Sequence, residues 1–263
     1  MSNNNSENRK KKRLILTVIA VIMILFGALY TGYYFFNQAQ AEKEAPSTTV
    51  EEYSEEETVK PGETLKNPID FASLQAENEE VYAWIKVPGT KVDYPIVQSA
   101  VSDEFYLKHS AKDKSWVSSG AIYTEMCNTK SFRDRVTLIY GHNGYSDTMF
   151  TTLHYFEDSD FFSKHKNFYI YTPDSRLTYR IISAFKYDDR HIMNSFDFQD
   201  NAVFDSFVQM VRNPLTTMKN VRKDLGVELT LSSKIVVLST CITHQDSSRY
   251  LVCGVLVKNE KTD

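Results

Sequence analysis

Cys241 closes the run Lys234-Ile235-Val236-Val237-Leu238-Ser239-Thr240-Cys241. Four apolar residues in a row predict a buried strand, and the three residues that end it are small and polar or nucleophilic. Side chains alternate across a strand, so Ile235, Val237, Ser239 and Cys241 share one face. A thiol at a strand's end, beside Thr240 and ahead of a polar loop, is accessible by position, which favours reactivity over packing. Eight positions later Arg249 opens the run RYLVCGVLVK. Two strands joined by the polar loop 242–248 would form a hairpin in which Cys241 and Arg249 face each other. An arginine there can hold a carbonyl or stabilise an oxyanion, and its charge favours a thiolate. The bland alternative is a surface arginine with no partner.

Acyl chemistry at a cysteine also needs a base. Of the six histidines, His142 follows the apolar run 136–140 and one glycine, Gly141, which permits a sharp turn. It therefore sits at a strand end, as Cys241 does. His244 lies inside the Cys–Arg loop and can be polar filler. His109, His154 and His165 fall in helical or turn-like stretches dense with charge. The other two cysteines, Cys127 and Cys253, have no role in this scheme and are expected to be buried or incidental. The spacing of the three matches no zinc or thioredoxin-type pattern, and they are too few for a disulfide-built fold.

The elements that must position these residues are mostly strands. Short β-rich runs divided by turn signals cover 83–87, 92–97, 120–123, 135–140, 167–172, 177–186, 234–240 and 249–258. Helical spacing appears at 147–156 and 202–212. Ile69, Phe71, Leu74, Val81 and Trp84 are spaced like one helix or two short ones, with Asp70 placed to cap the start. Many short strands with few helices predict a β-barrel decorated by helices. The formal net charge of -4 and the scattered basic residues give no case for nucleic acid. No carboxylate cluster has a calcium-loop pattern, so no metal is expected, and nothing implies a cofactor.

The N-terminus sets the expected compartment. Residues 9–13 read RKKKR, and 14–36 carry no charge. That stretch is long enough to cross a hydrocarbon core of about 30 Å. Aromatic residues from Tyr30 to Phe36 crowd its far end, where their rings favour the membrane interface. The reading is a basic cytoplasmic tail at 1–13, a single transmembrane anchor at 14–36 and the remainder outside the cell membrane. A cleaved signal peptide is the alternative, but its apolar core usually covers only about 7–15 residues. Residues 37–65, with Glu51, Glu52, Glu55, Glu56, Glu57, Pro46 and Pro61, read as an extracellular stalk with little to bury. The catalytic domain occupies 66–263.

With these residues in place, the sequence resembles the sortases of Gram-positive bacteria. The motif elements are Leu238-Ser239-Thr240-Cys241, Arg249 on the next strand, and Tyr140-Gly141-His142-Asn143 after an earlier one. Val237 stands where many members carry Thr. Trp84-Ile85-Lys86-Val87-Pro88-Gly89-Thr90, Asp93-Tyr94-Pro95-Ile96-Val97-Gln98, Glu104-Phe105-Tyr106-Leu107 and Phe161-Phe162-Ser163-Lys164-His165 are similar to class B members. Residues 203–211 resemble the long helix that class carries before the nucleophile strand. The resemblance covers about residues 66–258.

It implies a mostly β fold with helices: an eight-stranded sortase-type barrel, an N-terminal helix, and a long helix before the nucleophile strand. It also implies a cysteine transpeptidase. Cys241 would attack the Thr carbonyl of a C-terminal sorting signal on a secreted protein, and an amine would resolve the thioester. That amine belongs to a peptidoglycan precursor or, in a pilin polymerase, to a pilin lysine. His142 would move the protons and Arg249 would hold the substrate. Ser239 and Thr240 would line the cleft. Asp103 and Leu107 fall where class B members carry a substrate-contacting Asn and Leu. Two readings of other classes are a non-catalytic membrane-anchored binding module, in which Cys241 is dispensable, and a hydrolytic cysteine protease.

Overall fold

The computed structural model describes residues 3–44, 65–144 and 147–263. The chain divides into two units, Met1–Gln40 and Ala41–Asp263. The first is made by helix α1, which runs Asn3–Glu44. Its segment Lys11–Phe36 has a mean hydropathy of 2.6 and is long and apolar enough to cross a membrane. Its apolar side chains are exposed, Ile24 and Phe26 each to 70%. The helix continues past Phe36 into the expected stalk because Ala39, Gln40, Ala41, Glu42 and Lys43 are good helix formers and no Gly or Pro intervenes. The rest of the expected stalk, 45–64, lies outside the described residues.

In the second unit Leu65 forms a bridge with Thr262. Asn67 ties this entry to the sheet by donating to the Thr172 carbonyl at 2.8 Å. Asp70 caps helix α2, Phe71–Glu77, accepting from the Ser73 N–H at 3.0 Å and from its hydroxyl at 2.7 Å. Helical spacing does not extend to Val81 and Trp84. They belong to strand β1, Val81–Lys86, whose Val-Tyr-Ala-Trp-Ile run suits a pleated surface.

Eight further strands follow: β2 Asp93–Val97, β3 Ile122–Thr124, β4 Val136–Tyr140, β5 Asn167–Thr172, β6 Ser175–Asp188, β7 Lys219–Val221, β8 Ile235–Ile242 and β9 Gln245–Lys261. The order β5-β1-β2-β3-β4-β8-β9-β6 closes through a β5–β6 pairing, giving an eight-stranded barrel. The short β7 adds to the outer half of β6 at Ser183–Phe185; its three residues carry no period that a sequence pattern could register. The β2–β3 and β4–β8 pairs are parallel and the others antiparallel.

The expected helix at 147–156 is instead a 3₁₀ helix, Thr151–Glu157, followed by helix α3, Ser159–Lys164. Asp147 and Met149 have φ of 60° and 52°, so no α-helix can run through them. After β6 come α4, Ile192–Ser195, and α5, Asn201–Arg212. Asp200 caps α5 through the Ala202 and Val203 N–H groups. Phe204, Phe207, Val208 and Val211 form its buried stripe.

That stripe decides how β8 is used. Val236, Leu238 and Ile242 pack inside the barrel with Tyr250 and Val252. Ile235 and Val237 pack outside it with Leu251, Cys253, Phe204 and Phe207. A strand buried on both faces requires the unbroken apolar run that the sequence carries there. Phe204 and Phe207 are fully buried, and each contributes about 1.5–3 kcal/mol by leaving water. The barrel wall under the site is thus clamped from both sides.

Candidate active site

Strand pairing brings the three expected residues to one end of the barrel. In β8 and β9, Cys241 lies directly opposite Arg249. On the other side of β8 the parallel ladder with β4 ends at Tyr140 opposite Ser239, and the Gly141 N–H donates to the Ser239 carbonyl at 3.1 Å. His142 is the next residue. His142, Cys241 and Arg249 therefore leave three adjacent strands side by side. All three line one cavity of about 350 Å³ with Asp103, Leu107, Ser239 and Thr240.

The Nε2 of His142 lies 2.8 Å from the Leu107 carbonyl oxygen. A carbonyl only accepts, so Nε2 carries the hydrogen and Nδ1 is the nitrogen able to take a further proton. Leu107 thereby orients the histidine through its main chain, while its half-buried side chain lines the cavity. Asp103 lines the cavity too, and its Oδ1 accepts from the Met126 N–H at 2.6 Å. Arg249 donates from Nη1 to the Ser248 carbonyl at 3.1 Å. Ser239, on the Cys241 face, is buried beneath the thiol.

Thr240 lines the cavity, but its hydroxyl points away from it: alternation puts its side chain on the opposite face from Cys241. It is 2% exposed, and its Oγ1 has no hydrogen-bond partner among the described residues. Its hydroxyl is therefore a poor cleft wall.

Gly141 is needed for a different reason from the one its place before His142 suggests. Its φ is not positive. A Cβ there would lie 2.5 Å from Ile122 Cδ1 and 2.6 Å from Phe150 Cγ. Close packing under the histidine, not the dihedral of a turn, excludes a side chain.

The three thiols differ. Cys253 is fully buried, and burial pushes its thiol well up. Cys127 is exposed on the loop after β3, so of the two expectations, buried or incidental, burial does not apply to it. Partial desolvation, followed by the carboxylates of Glu125 and Asp103, pushes its thiol up to about 11. Cys241 is exposed and faces an arginine.

Several contacts at the site carry no local signal in the sequence. Glu125 lines the cavity and accepts from His191 Nε2 at 2.8 Å across 66 residues of chain; no local pattern announces such a pair. Asn143, next to His142, donates to the Cys241 carbonyl at 3.1 Å and to Thr243 Oγ1 at 2.9 Å. His154, set aside as a helical residue, lies 3.0 Å by Nε2 from the same carbonyl.

The family model described as Sortase domain matches residues 85–257. Sortase B of Listeria monocytogenes is 28% identical over 190 residues, 72% of this chain and 74% of that protein. The solved structure of sortase B from B. anthracis aligns with a TM-score of 0.64 at 25% identity, covering 87% of this chain and 99% of that one. A Streptococcus pyogenes class B sortase involved in pilus biogenesis aligns with a TM-score of 0.61 at 29% identity, covering 72% and 98%.

Proposed function

Since the chain belongs to the sortase family, as a class B member, we propose that it joins secreted proteins to an amine through a thioester on Cys241. The observation that carries this reading is the convergence of Cys241, Arg249 and His142 from three adjacent strands onto one cavity.

In the first step the Cys241 thiolate adds to the carbonyl carbon of the Thr in a C-terminal sorting signal. Arg249, opposite the nucleophile, offers N–H donors to the oxygen that gains charge. The tetrahedral species collapses by breaking the C–N bond. The departing amine takes its proton from His142, and the thioester remains. In the second step an amine attacks the thioester, His142 takes its proton, the amide forms and the C–S bond breaks. Asp103, Leu107 and Ser239 are the cavity residues placed to contact the signal. Thr240 contributes through the strand it belongs to, not through its hydroxyl.

The acceptor amine is that of a peptidoglycan precursor in the primary reading. A pilin lysine is the second, supported by the likeness to the S. pyogenes class B sortase involved in pilus biogenesis. Incubating the full-length chain with NPxTx and LPxTG-like peptides, and with precursor-type amines or a lysine-bearing pilin peptide, tests both. Transfer to the amine at the expense of hydrolysis is the expected product pattern. Cleavage that no amine diverts would point to a hydrolytic protease, and no cleavage at all to a binding module.

Arg249→Ala should lower kcat/KM for peptide cleavage by about 100- to 1000-fold, the cost of losing an oxyanion donor. Arg249→Lys should recover only part, because an ammonium lacks the planar fork of donors. Steady-state cleavage kinetics of the two variants check this.

Residues 14–36, within the apolar helical segment Lys11–Phe36, are proposed as a single membrane span, with the basic tail 1–13 cytoplasmic and the barrel outside. Full-length protein should pellet with membranes and stay there through an alkaline carbonate wash, while protease added to intact protoplasts degrades the barrel. Release by carbonate, or a barrel protected from protease, would contradict the assignment.

A further inference from the structure

On β8 the edge facing β4 presents the Ser239 carbonyl, taken by the Gly141 N–H, and two residues on, the Cys241 carbonyl. By then β4 has ended at Tyr140, and among the described residues no strand offers the second carbonyl an N–H. The β8–β9 ladder also shifts register here, from Cys241 opposite Arg249 to Ile242 opposite Gln245. The backbone that aims the nucleophile is therefore a place where the sheet itself stops giving support.

His154 supplies what the sheet does not. Its Nε2 lies 3.0 Å from the Cys241 carbonyl oxygen, and its Nδ1 lies 2.6 Å from Glu157 Oε1. Its ring stacks on Tyr250, with centroids 4.9 Å apart and planes 24° apart. Tyr250 is buried and pairs across the ladder with Thr240, so the ring rests on the strand pair that carries the thiol. The local cause is the 3₁₀ helix Thr151–Glu157: in that helix side chains three apart eclipse, which sets Glu157 over His154. A carbonyl and a carboxylate both only accept, so a ring nitrogen that carries its hydrogen donates to the oxygen it faces. Asn143 Nδ2 lies 3.1 Å from the Cys241 carbonyl oxygen and 3.4 Å from His154 Nε2, so the two side chains meet at that carbonyl.

We propose that His154 is a positioning residue for the nucleophile: held by Glu157 and Tyr250, its ring fixes the main-chain carbonyl of Cys241 and with it the direction of the thiol. This rests on Cys241 being the nucleophile. His154 touches the main chain of that residue, whereas His142 lines the cavity where substrate binds, so the two histidines divide proton transfer from alignment.

The test uses the full-length chain and the variants His154→Ala, His154→Gln and Glu157→Gln. Single-turnover acylation by a sorting-signal peptide and the melting temperature are measured for each. His154→Ala should slow acylation by about 10- to 100-fold, the scale on which misaimed reacting groups lose rate, with KM changed less than about 2-fold. His154→Gln keeps a side-chain N–H donor and should recover most of the rate, and Glu157→Gln should fall between. Wild-type acylation by His154→Ala would overturn the proposal. So would a Gln variant as slow as Ala, or a loss expressed in KM. If wild type forms no thioester on Cys241, the nucleophile assignment falls instead. The positioning claim then stands or falls on alkylation of Cys241 by iodoacetamide, which needs no peptide: rates should rank wild type, Gln, Ala, and any other order overturns it.

Discussion

Cys241→Ala is expected to abolish peptide cleavage and transfer, with activity down by about 10,000-fold or more, the scale seen when a covalent nucleophile is removed. No other thiol can take over. Cys253 is fully buried. Cys127 is exposed, but desolvation and the carboxylates of Glu125 and Asp103 hold its thiol protonated, at about 11. Nor should the loss be a folding defect. The Cys241 side chain is exposed, and surface substitutions usually change stability by no more than about 0.5 kcal/mol. The variant should melt with wild type and still bind the sorting-signal peptide, which separates catalysis from a binding-module role. Cleavage surviving in Cys241→Ala would move the chemistry elsewhere.

His142→Ala should cost about 100- to 10,000-fold in both half-reactions, since one imidazole protonates the leaving amine and deprotonates the incoming one. The bond from Nε2 to the Leu107 carbonyl suggests a sharper comparison. His142→Gln can donate to that same carbonyl but cannot exchange a proton with an amine. If the residue acts by proton transfer, the Gln variant is as slow as the Ala variant. Measured acylation and aminolysis rates near wild type for His142→Gln would reduce His142 to a structural contact. The opposite pattern is expected at His154, where the Gln variant recovers rate.

How much of this was legible in the sequence depends on the range of the interaction. Cys241 and Arg249 are joined by a short hairpin, and their pairing follows from a polar loop between two apolar runs. His142 is legible from its place at the end of β4, although the sequence could not say that β4 lies beside β8. The capping role of Asp70 and the helical spacing over 202–212 are local and were readable. Where longer-range packing decides, local reading failed. Val81 and Trp84 have helical spacing relative to Phe71 and Leu74 but are drawn into β1 by the sheet. Residues 147–156 have a helical pattern, but left-handed backbone at Asp147 and Met149 starts the helix late, as a 3₁₀ turn. That change of helix type puts Glu157 over His154, so a histidine that looked like charged surface reaches the nucleophile's carbonyl. The Glu125–His191 pair joins a loop after β3 to the start of α4 and has no local signature.

The most direct test of acyl transfer through Cys241 is the intact mass of full-length protein quenched during turnover with a sorting-signal peptide, followed by mapping of the modified residue. The expected result is a mass increment equal to the peptide through its Thr, located on Cys241, removed by hydroxylamine and absent in Cys241→Ala. Cleaved peptide without any covalent species, or an adduct that maps to Cys127, would contradict it.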